Sequence, residues 1–410
     1  MKLPIYMDYH ATTPLDPRVL GAMTPYFTQK FGNAASKSHS FGWEAEAAVT
    51  KARGQIAAIL GTSSQEIIFT SGATESNNLA LQGVWEAHGK KGAHLITCVT
   101  EHKAILDVCK ELEKKGAQVT YLSVDSQGRI DREAFKSVLT DRTILVSLMA
   151  ANNEIGTIHP LEEIGSITRE RGILFHTDAA QALGKIPLDM ERMKIDLLSA
   201  SGHKICGPKG VGVLYVRSQN PRLKPLIWGG GHERGLRSGT LNVPGVVGMG
   251  EACRIAAEEG EAESDRLRTL RDRLYTELKK GLEDVLLNGP SLNDRLAQNL
   301  NLSFPFVKAE ALMMAMKEVA VSSGSACTSA SPHPSHVIKA LGRSDDEVHS
   351  SIRFGLGRFT SEDEVDYVAK RVVELVKKIR GASPAYQMVK EVSSREPSRE
   401  PLIKSLGRAK

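Results

Sequence analysis

The chain has 410 residues, of which 41% are hydrophobic and 25% are charged, as is ordinary for a soluble globular protein with a sizeable core. This length suits two domains, or one large domain with a smaller one attached, rather than a single small core. The net charge of +5 comes from 53 basic and 48 acidic residues without a long basic stripe, which argues against direct nucleic-acid binding.

The cysteines and the apolar runs narrow the class of protein further. The five cysteines are odd in number and no two are spaced as CxxC, which argues against a disulfide framework or a structural zinc site and favours the reducing cytosol. The N-terminus carries no apolar run of signal-peptide length, and no stretch of about 18 apolar residues occurs. We therefore expect a cytoplasmic protein without membrane contact.

Between residues 55 and 216, short apolar runs alternate with helical patterns. The predicted strands are 66–71, 94–100, 143–149, 173–178 and 196–201, with a hairpin-like segment at 210–216. Three segments after these strands have apolar residues at helical spacing: one that begins at Thr74, one across 104–116 and one across 160–172. This alternation predicts an α/β fold whose mostly parallel sheet is covered by helices on both faces.

The second half of the chain predicts a smaller domain. Its elements are a loop at 217–245, a charged helix at about 251–284, a strand at 299–304, a helix at 309–318, a strand at 319–324 and a helix near 361–380. We expect a large domain at 15–260 and a smaller α+β domain built from 1–14 and 261–380. Residues 381–410 are polar and contain the near-repeat SREPSREP, so we expect a loosely ordered tail.

Polar clusters stand at or just after the ends of the predicted strands. They are TSGATES (70–76), TEHK (100–103), NNE (152–154), TDAAQ (177–181) and SGHK (201–204). Active sites of parallel sheets lie outside the carboxyl ends of the strands. These clusters therefore predict one common site.

Lys204 and Asp178 are the first candidates for chemistry. A lysine amine can form a Schiff base with an aldehyde cofactor, and a strand-end carboxylate can pair with the protonated ring nitrogen of pyridoxal. Gln181 would lie within reach of the same ligand. Taken alone, Lys204 would be interpreted as a solvated loop lysine and Asp178 as a helix N-cap. Their occurrence together in one sheet favours a cofactor-binding role for both.

Three further strand-end segments fit the same ligand. TSGATES, which contains Thr74, lies at a strand-to-helix junction where backbone N–H groups can bind a phosphate, although a capping box explains it equally well. His102 can stack on a flat ring, or it is a partly exposed loop residue. Asn153 can bind a ring oxygen or a substrate carboxylate, or it caps a polar loop.

Two candidates lie in the predicted smaller domain. Cys327 falls within SSGSACTSASPHPS (322–335), which has no bulky hydrophobic residue, so we expect an exposed thiol on a mobile loop at about 321–335. Arg353 has a planar fork that suits a carboxylate, and an ordinary salt bridge is the alternative.

Taken together, these segments resemble the cysteine desulfurases of the NifS and IscS family, in the class-V aminotransferase superfamily. The matching motifs, in the family's order, are YMDYHATTP, FGNAASKSHSFG, FTSGATESNNLA, TEHKAIL, NNEIGTI, DAAQALGKIP, SASGHKICGPKG, GGGHERGLRSGTLNVPG, SSGSACTSAS and HSSIRFGLGRFT. They cover roughly residues 1–380 and are most similar to the housekeeping type that serves iron–sulfur cluster assembly. The resemblance implies the fold type I of transferases dependent on pyridoxal 5′-phosphate (PLP), which is aspartate-aminotransferase-like.

The resemblance also implies a cofactor site. The residues implied to hold PLP are Ala73, Thr74, His102, Asn153, Asp178, Gln181, Ser201, His203, Lys204 and Thr240. Lys204 would join the cofactor covalently and move the Cα proton, and His102 would stack on the ring and assist proton transfer. Asp178 would bind the ring nitrogen and Gln181 the phenolic oxygen. Thr240 would reach the phosphate of the neighbouring subunit, which implies a homodimer.

The implied activity is removal of sulfur from L-cysteine. Asn153 and Arg353 would hold the substrate carboxylate, and Cys327 would attack the sulfur, giving L-alanine and a Cys327 persulfide. The implied acceptors are an IscU-like iron–sulfur scaffold protein, with which Cys327 would transiently share a cluster as a metal ligand, and partners for tRNA thiolation and other sulfur-containing cofactors. The alternatives are an aminotransferase or selenocysteine lyase on the same fold, and a non-catalytic scaffold.

Overall fold

The computed structural model describes residues 3–89, 93–218, 221–323 and 334–395. The strands are β1 (Ile5–Tyr6), β2 (Ile67–Thr70), β3 (His94–Cys98), β4 (Gln118–Leu122), β5 (Thr143–Ser147), β6 (Leu174–Asp178), β7 (Leu197–Ser201), β8 (Gly212–Val216), β9 (Leu286–Leu287), β10 (Asn299–Ser303), β11 (Val319–Ala320) and β12 (Ser351–Gly355). The helices are α1 (Pro17–Met23), α2 (Pro25–Thr28), α3 (Ser40–Leu60), α4 (Ala73–His88), α5 (Lys103–Lys114), α6 (Arg132–Val138), α7 (Leu161–Glu170), α8 (Val243–Gly281), α9 (Ala309–Ala315), α10 (His336–Ala340), α11 (Asp345–His349), α12 (Glu362–Gly381) and α13 (Pro384–Arg395).

The central sheet has seven strands in the order β2-β8-β7-β6-β5-β3-β4. Strands β7, β6, β5, β3 and β4 are parallel, and β8 runs antiparallel to its neighbours β7 and β2. The mostly parallel sheet and the hairpin-like last strand are thereby confirmed. Every residue of β2, β3, β6, β7 and β8 is buried, as expected for a sheet covered on both faces.

Alternating side chains of the sheet belong to different hydrophobic clusters. In β2, Ile67 and Phe69 pack in one cluster with Ile56 of α3, whereas Ile68 packs in the other with Leu79 of α4. Successive side chains of a strand point to opposite faces, so the two clusters are the two covered faces of the sheet.

Helix α8 connects the two parts of the molecule. Its first half contributes Val246 and Cys253 to the core of the central sheet, and its second half contributes Leu267 and Leu274 to a separate cluster. This separation supports a domain boundary near residue 260, which stays a prediction. The helix begins earlier than the predicted 251 because the Asn242 side chain caps it by accepting from the Gly245 N–H.

The smaller part is built on strands from both ends of the chain. Strand β10 pairs antiparallel with β12 and β9, and β1 pairs parallel with β11. The predicted strand at 319–324 is shorter than expected: β11 ends at Ala320, and Ser322 forms a single bridge with Arg353. The N-terminal strand thus lies beside the segment that precedes Cys327, which falls outside the described residues.

Within the segment expected to be a loosely ordered tail, residues 384–395 form α13. The Tyr386 ring packs against Phe306 with ring centroids 5.5 Å apart, and the Arg380 guanidinium lies 5.4 Å from the Tyr386 ring centre. Aromatic and cation–π contacts of this kind dock the start of the helix on the smaller part. Residues 396–410 fall outside the described residues. Within the described ranges, no helix is both long enough and apolar enough to cross a bilayer.

We expect the free energy of unfolding to fall as the pH is lowered from 6.5 to about 4, with His176 accounting for about 3 kcal/mol of the loss. His176 is fully buried on β6 between the hydroxyls of Ser147 and Ser199, at 2.8 and 3.0 Å, and burial lowers its pKa from 6.5 to about 3. In this pH range the unfolded chain binds a proton at His176, whereas the folded chain does not. Stability that is complete above pH 6.5 is therefore lost as the pH falls toward the folded-state pKa.

Urea unfolding midpoints measured between about pH 7 and pH 4 test this expectation. The variant His176→Gln should lose less stability over this range than the parent. His349→Gln is the matched control, because His349 is exposed, and it should keep the parent slope. Equal slopes for the parent and His176→Gln would contradict the assignment.

Candidate active site

A cavity of about 450 Å³ opens at the carboxyl ends of the parallel strands. This volume is within the usual range for small-ligand pockets. The predicted site residues that line it are Ala73, Thr74, His102, Asn153, Asp178, Gln181, Ser201, His203, Lys204 and Arg353. The strand-end clusters therefore do form one site, and Arg353 joins it from the smaller part.

Lys204 follows β7 on a short 3₁₀ turn, Gly202–Lys204. Its Nζ donates to the carbonyl oxygens of His10 and Ala11, at 2.5 and 2.8 Å. The chain after this turn folds back closely on it. A Cβ added at Gly207 would lie 2.7 Å from the Gly202 carbonyl oxygen, so a glycine is required at position 207. Lys204 is partly buried beside the cavity, so it is not a solvated loop lysine.

Asp178 ends β6 and is 6% exposed. Its Oδ2 accepts from Asn77 Nδ2 at 2.7 Å, and its Oδ1 accepts from the Ala180 N–H at 2.9 Å. The hydrogen bond from the Ala180 N–H is the local capping interaction that was the alternative role for Asp178. Asp178 forms this cap and also lines the cavity. Asn77 was not singled out by the sequence reasoning. Its burial, which only the packed structure shows, is what marks it.

The N-terminus of α4 forms one wall of the cavity. Gly72, Ala73 and Thr74 line this wall, where the first N–H groups of the helix and the positive end of its dipole favour an anion. A Cβ at Gly212 would lie 2.5 Å from the Gly72 Cα, so the glycine lets the loop rest against β8. The Ser71 backbone N–H donates to Glu75 Oε2 at 2.9 Å, so a capping interaction is present as well.

His203 and Ser201 face the same wall from β7 and the turn after it. His203 Nδ1 lies 3.0 Å from the Thr12 hydroxyl. Burial, and then the charge of Lys204, lower the pKa of His203 to about 4. His203 is therefore a neutral imidazole at physiological pH.

His102 is the N-cap of α5 and lines the cavity. Its Nδ1 accepts from the Ala104 N–H at 3.1 Å, so a neutral ring carries its proton on Nε2. The preceding Glu101 is fully buried and accepts from the Met149 N–H at 2.7 Å. Burial raises the pKa of Glu101 well above its usual value, which favours the neutral form of this acid. The sequence reasoning missed Glu101, whose burial only the packed structure shows.

Arg353 lies on β12 and is 1% exposed. Its Nη2 pairs with Asp8 Oδ1 at 2.8 Å, and its Nη1 donates to the Asn153 carbonyl oxygen at 2.9 Å. Its buried Nε has no hydrogen-bond partner among the described residues. The salt bridge that we considered as the alternative is present, and Arg353 borders the cavity nonetheless.

His10 is a further residue that sequence reasoning missed. It lies in YMDYHATTP, is 1% exposed and lines the cavity. Its ring touches Gln181 and its carbonyl oxygen accepts from Lys204. A histidine after a short N-terminal strand carries no sequence signal of such a position, because both partners are more than 170 residues away.

Among the described residues, one predicted site residue does not line this cavity. Thr240 is exposed and borders solvent rather than the cavity of the described chain. Cys327 falls outside the described residues, and so does its expected role as a metal ligand. Within the described parts of the chain, no group of three or more His, Cys, Asp or Glu side chains is placed to hold a metal ion.

The chain matches the family Aminotransferase class-V over residues 5–368. A relative from Anaeromyxobacter sp. (strain Fw109-5), named cysteine desulfurase IscS, is 59% identical over 393 residues, covering 95% of this chain and 97% of the relative. A relative of the same name from Histophilus somni (strain 2336) is 57% identical over 394 residues, with 95% and 97% covered.

Solved structures agree with these matches. A NifS-like protein superimposes with a TM-score of 0.85 at 39% identity, covering 91% of this chain and 99% of the other. A structure described as SspA in complex with cysteine has a TM-score of 0.77 at 37% identity, covering 87% of this chain and all of the other (100%).

Proposed function

Since the chain belongs to the class-V aminotransferase family and is a PLP-dependent cysteine desulfurase, we propose that its cavity holds PLP on Lys204 and that Cys327 receives the sulfur. The observation that carries this proposal is the meeting of an amine, Lys204, and a buried carboxylate, Asp178, at one cavity beneath a helix N-terminus. PLP needs these three elements, for its aldehyde, its ring nitrogen and its phosphate.

The described residues fit the cofactor and the substrate. The first residues of α4, with their free N–H groups, and the Asp178 carboxylate of β6 both line the cavity. Two buried polar atoms, Asn77 Oδ1 and Arg353 Nε, have no partner among the described residues, although such atoms are normally hydrogen-bonded. Arg353 Nε suits the carboxylate of L-cysteine.

When bound, PLP supplies an electron sink that accepts the electron pair released at the amino acid. Asn77 and the Ala180 N–H hold the Asp178 carboxylate in one orientation, which suits pairing with a ring N–H. Lys204 would move the Cα proton, and His102 would assist with the proton that its Nε2 carries. Lys204 and His102 both line the cavity, which suits general acid–base work on a bound ligand.

The sulfur step assigns a nucleophile to Cys327. Its thiolate would attack the sulfur of L-cysteine, so that a sulfur–sulfur bond forms and the carbon–sulfur bond breaks. The electron pair stays on carbon, and a proton from the site completes L-alanine. The four described cysteines are buried, and burial raises the pKa of Cys98 to about 11 and that of Cys109 and Cys253 to about 12. Such thiols are poor nucleophiles, which supports Cys327.

The expected partners follow from the similarity to the IscS relatives. Thr240 would complete the phosphate site of a second subunit, in keeping with its exposure, and the enzyme would act as a cytoplasmic homodimer. Sulfur would pass from Cys327 to an IscU-like scaffold protein, with which a cluster would transiently be shared, and to acceptors for tRNA thiolation. An aminotransferase is disfavoured by the IscS relatives at 57–59% identity.

An assay of alanine and sulfide release from L-cysteine, with added reductant, tests the function. Protein purified with PLP should form both products in equal amounts. A protein that transfers the amino group to a keto acid instead, without sulfide release, would be an aminotransferase and would contradict the proposal.

We expect Arg353→Lys to raise the KM for L-cysteine about 10–100-fold while kcat falls much less, because a lysine keeps the charge that pairs with Asp8 but loses the planar fork. The matched control is Arg343→Lys, in the same part of the molecule, whose guanidinium donates to the Leu287 carbonyl oxygen. Its KM should equal that of the parent. An unchanged KM in Arg353→Lys would remove Arg353 from the substrate site.

A further inference from the structure

His10 joins the two parts of the molecule at the cavity. Its buried ring lies between Gln181 of the central-sheet part and Asn299 on β10 of the smaller part. Nδ1 is 2.9 Å from Gln181 Oε1, and Nε2 is 3.1 Å from Asn299 Nδ2. Both ring nitrogens are therefore engaged, and their partners decide which one carries the proton.

The orientation of the Asn299 amide is set by its other neighbours. Its Nδ2 also lies 3.1 Å from the carbonyl oxygen of Glu154, which can only accept. Its Oδ1 accepts from an Arg295 Nη1, which can only donate, at 3.4 Å. Asn299 therefore presents an N–H to His10, so His10 Nε2 is an acceptor and the proton of the neutral ring is on Nδ1.

This tautomer fixes the amide of Gln181 in turn. His10 Nδ1–H donates to Gln181 Oε1, and Gln181 Nε2 donates to the His10 carbonyl oxygen at 2.9 Å. The reverse amide orientation would set an N–H against the Nδ1–H and an oxygen against a carbonyl oxygen. Gln181 lines the cavity, so its second Nε2 hydrogen is the donor that it offers to a ligand.

The ring stays neutral, which keeps the arrangement intact over the working pH range. Burial, and then the charges of Arg353 and Lys185, hold the pKa of His10 well below its usual value. The Lys204 charge acts in the same direction. A protonated ring would place two N–H groups opposite each other at Asn299.

We propose that His10 is a positioning residue that locks Gln181 as a hydrogen-bond donor toward the cavity, so that the site selects an anionic oxygen of its ligand over a hydroxyl. The identity of that ligand rests on the proposed function: it is the phenolic ring oxygen of PLP. A donor stabilises the charged form of its acceptor, so Gln181 lowers the pKa of that oxygen only while its amide keeps this orientation.

Two variants of the PLP-loaded enzyme separate this role from a merely structural one. His10→Leu removes the donor at the Nδ1 position, and His10→Asn can return an N–H there. The readout is the pH midpoint of the absorbance change of bound PLP. We expect His10→Leu to raise the midpoint by about one unit, a tenfold change in the ionisation constant, and His10→Asn to stay near the parent. Equal midpoints in the parent and His10→Leu would overturn the proposal.

A second measurement reads the His10 tautomer in the parent protein and does not depend on the cofactor. In the parent labelled with ¹⁵N-histidine, the His10 ring should show a protonated Nδ1 and an unprotonated Nε2, with His10→Asn identifying its signals by their loss. The opposite tautomer would overturn the proposal. If the parent bound no PLP, the proposed function would fail, whereas the tautomer would still decide the role of His10.

Discussion

Replacing Lys204 by alanine should lower kcat for alanine formation from L-cysteine by at least about 10³-fold, because the variant loses both the amine that binds PLP covalently and the group that moves the Cα proton. Product formation and the covalent attachment are separate readouts. The covalent attachment is measured by reducing the PLP-loaded enzyme with borohydride and finding, by mass, the peptide that carries PLP as a label. The label should appear on the peptide containing Lys204 in the parent and nowhere in the variant.

Lys204→Arg separates chemistry from structure. An arginine keeps a cation that can donate to the His10 and Ala11 carbonyl oxygens, which Lys204 now satisfies. It lacks a nucleophilic amine, so it should be as inactive as the alanine variant while unfolding at the parent temperature. Lys209→Ala, in the same loop, should retain the covalent label. A Lys204→Arg enzyme with parent turnover would refute the role of Lys204.

Cys327→Ser should abolish protein-bound persulfide and lower sulfide release in the presence of reductant by at least about 10³-fold, since a serine hydroxyl is a far weaker nucleophile toward sulfur than a thiolate. PLP binding should be unchanged, because the amine, the carboxylate and the helix N-terminus proposed to hold PLP are all intact in this variant. The measurements are the absorbance of the bound cofactor and the mass of the intact protein after exposure to L-cysteine, which should gain sulfur in the parent only.

Cys206→Ser is the matched control for this prediction. Cys206 lies two residues after Lys204, is buried, and has a pKa raised above its usual value by burial. Its replacement should leave persulfide formation near the parent level. Persulfide that persisted in Cys327→Ser and vanished in Cys206→Ser would assign the nucleophile to Cys206 instead.

The strand-end clusters were predictable because their placement follows from local order. Lys204, Asp178 and His102 each lie at or shortly after the end of an apolar strand, and parallel strands bring their carboxyl ends to one edge. Six strands and three of the helices between them, α4, α5 and α7, were therefore readable from alternation of apolar runs, together with the site that they share. The elements that were not predicted are β1, β4, β9, β12, α1, α2, α3, α6, α10, α11 and α13. Except for α3, these are short or polar segments, which carry too few periodic residues.

The amino-acid sequence by itself determined the order of the strands and helices, the reactive residues at the strand ends and, through its motifs, the family. Only the tertiary structure decided which side chains hold those residues: Asn77 meets Asp178 across 101 positions, His10 meets Gln181 across 171, and Arg353 meets Asp8 across 345. The physical reason is that periodicity reports neighbours within a few residues, whereas these hydrogen bonds depend on the order of strands in the sheet and on the packing of the smaller part against it.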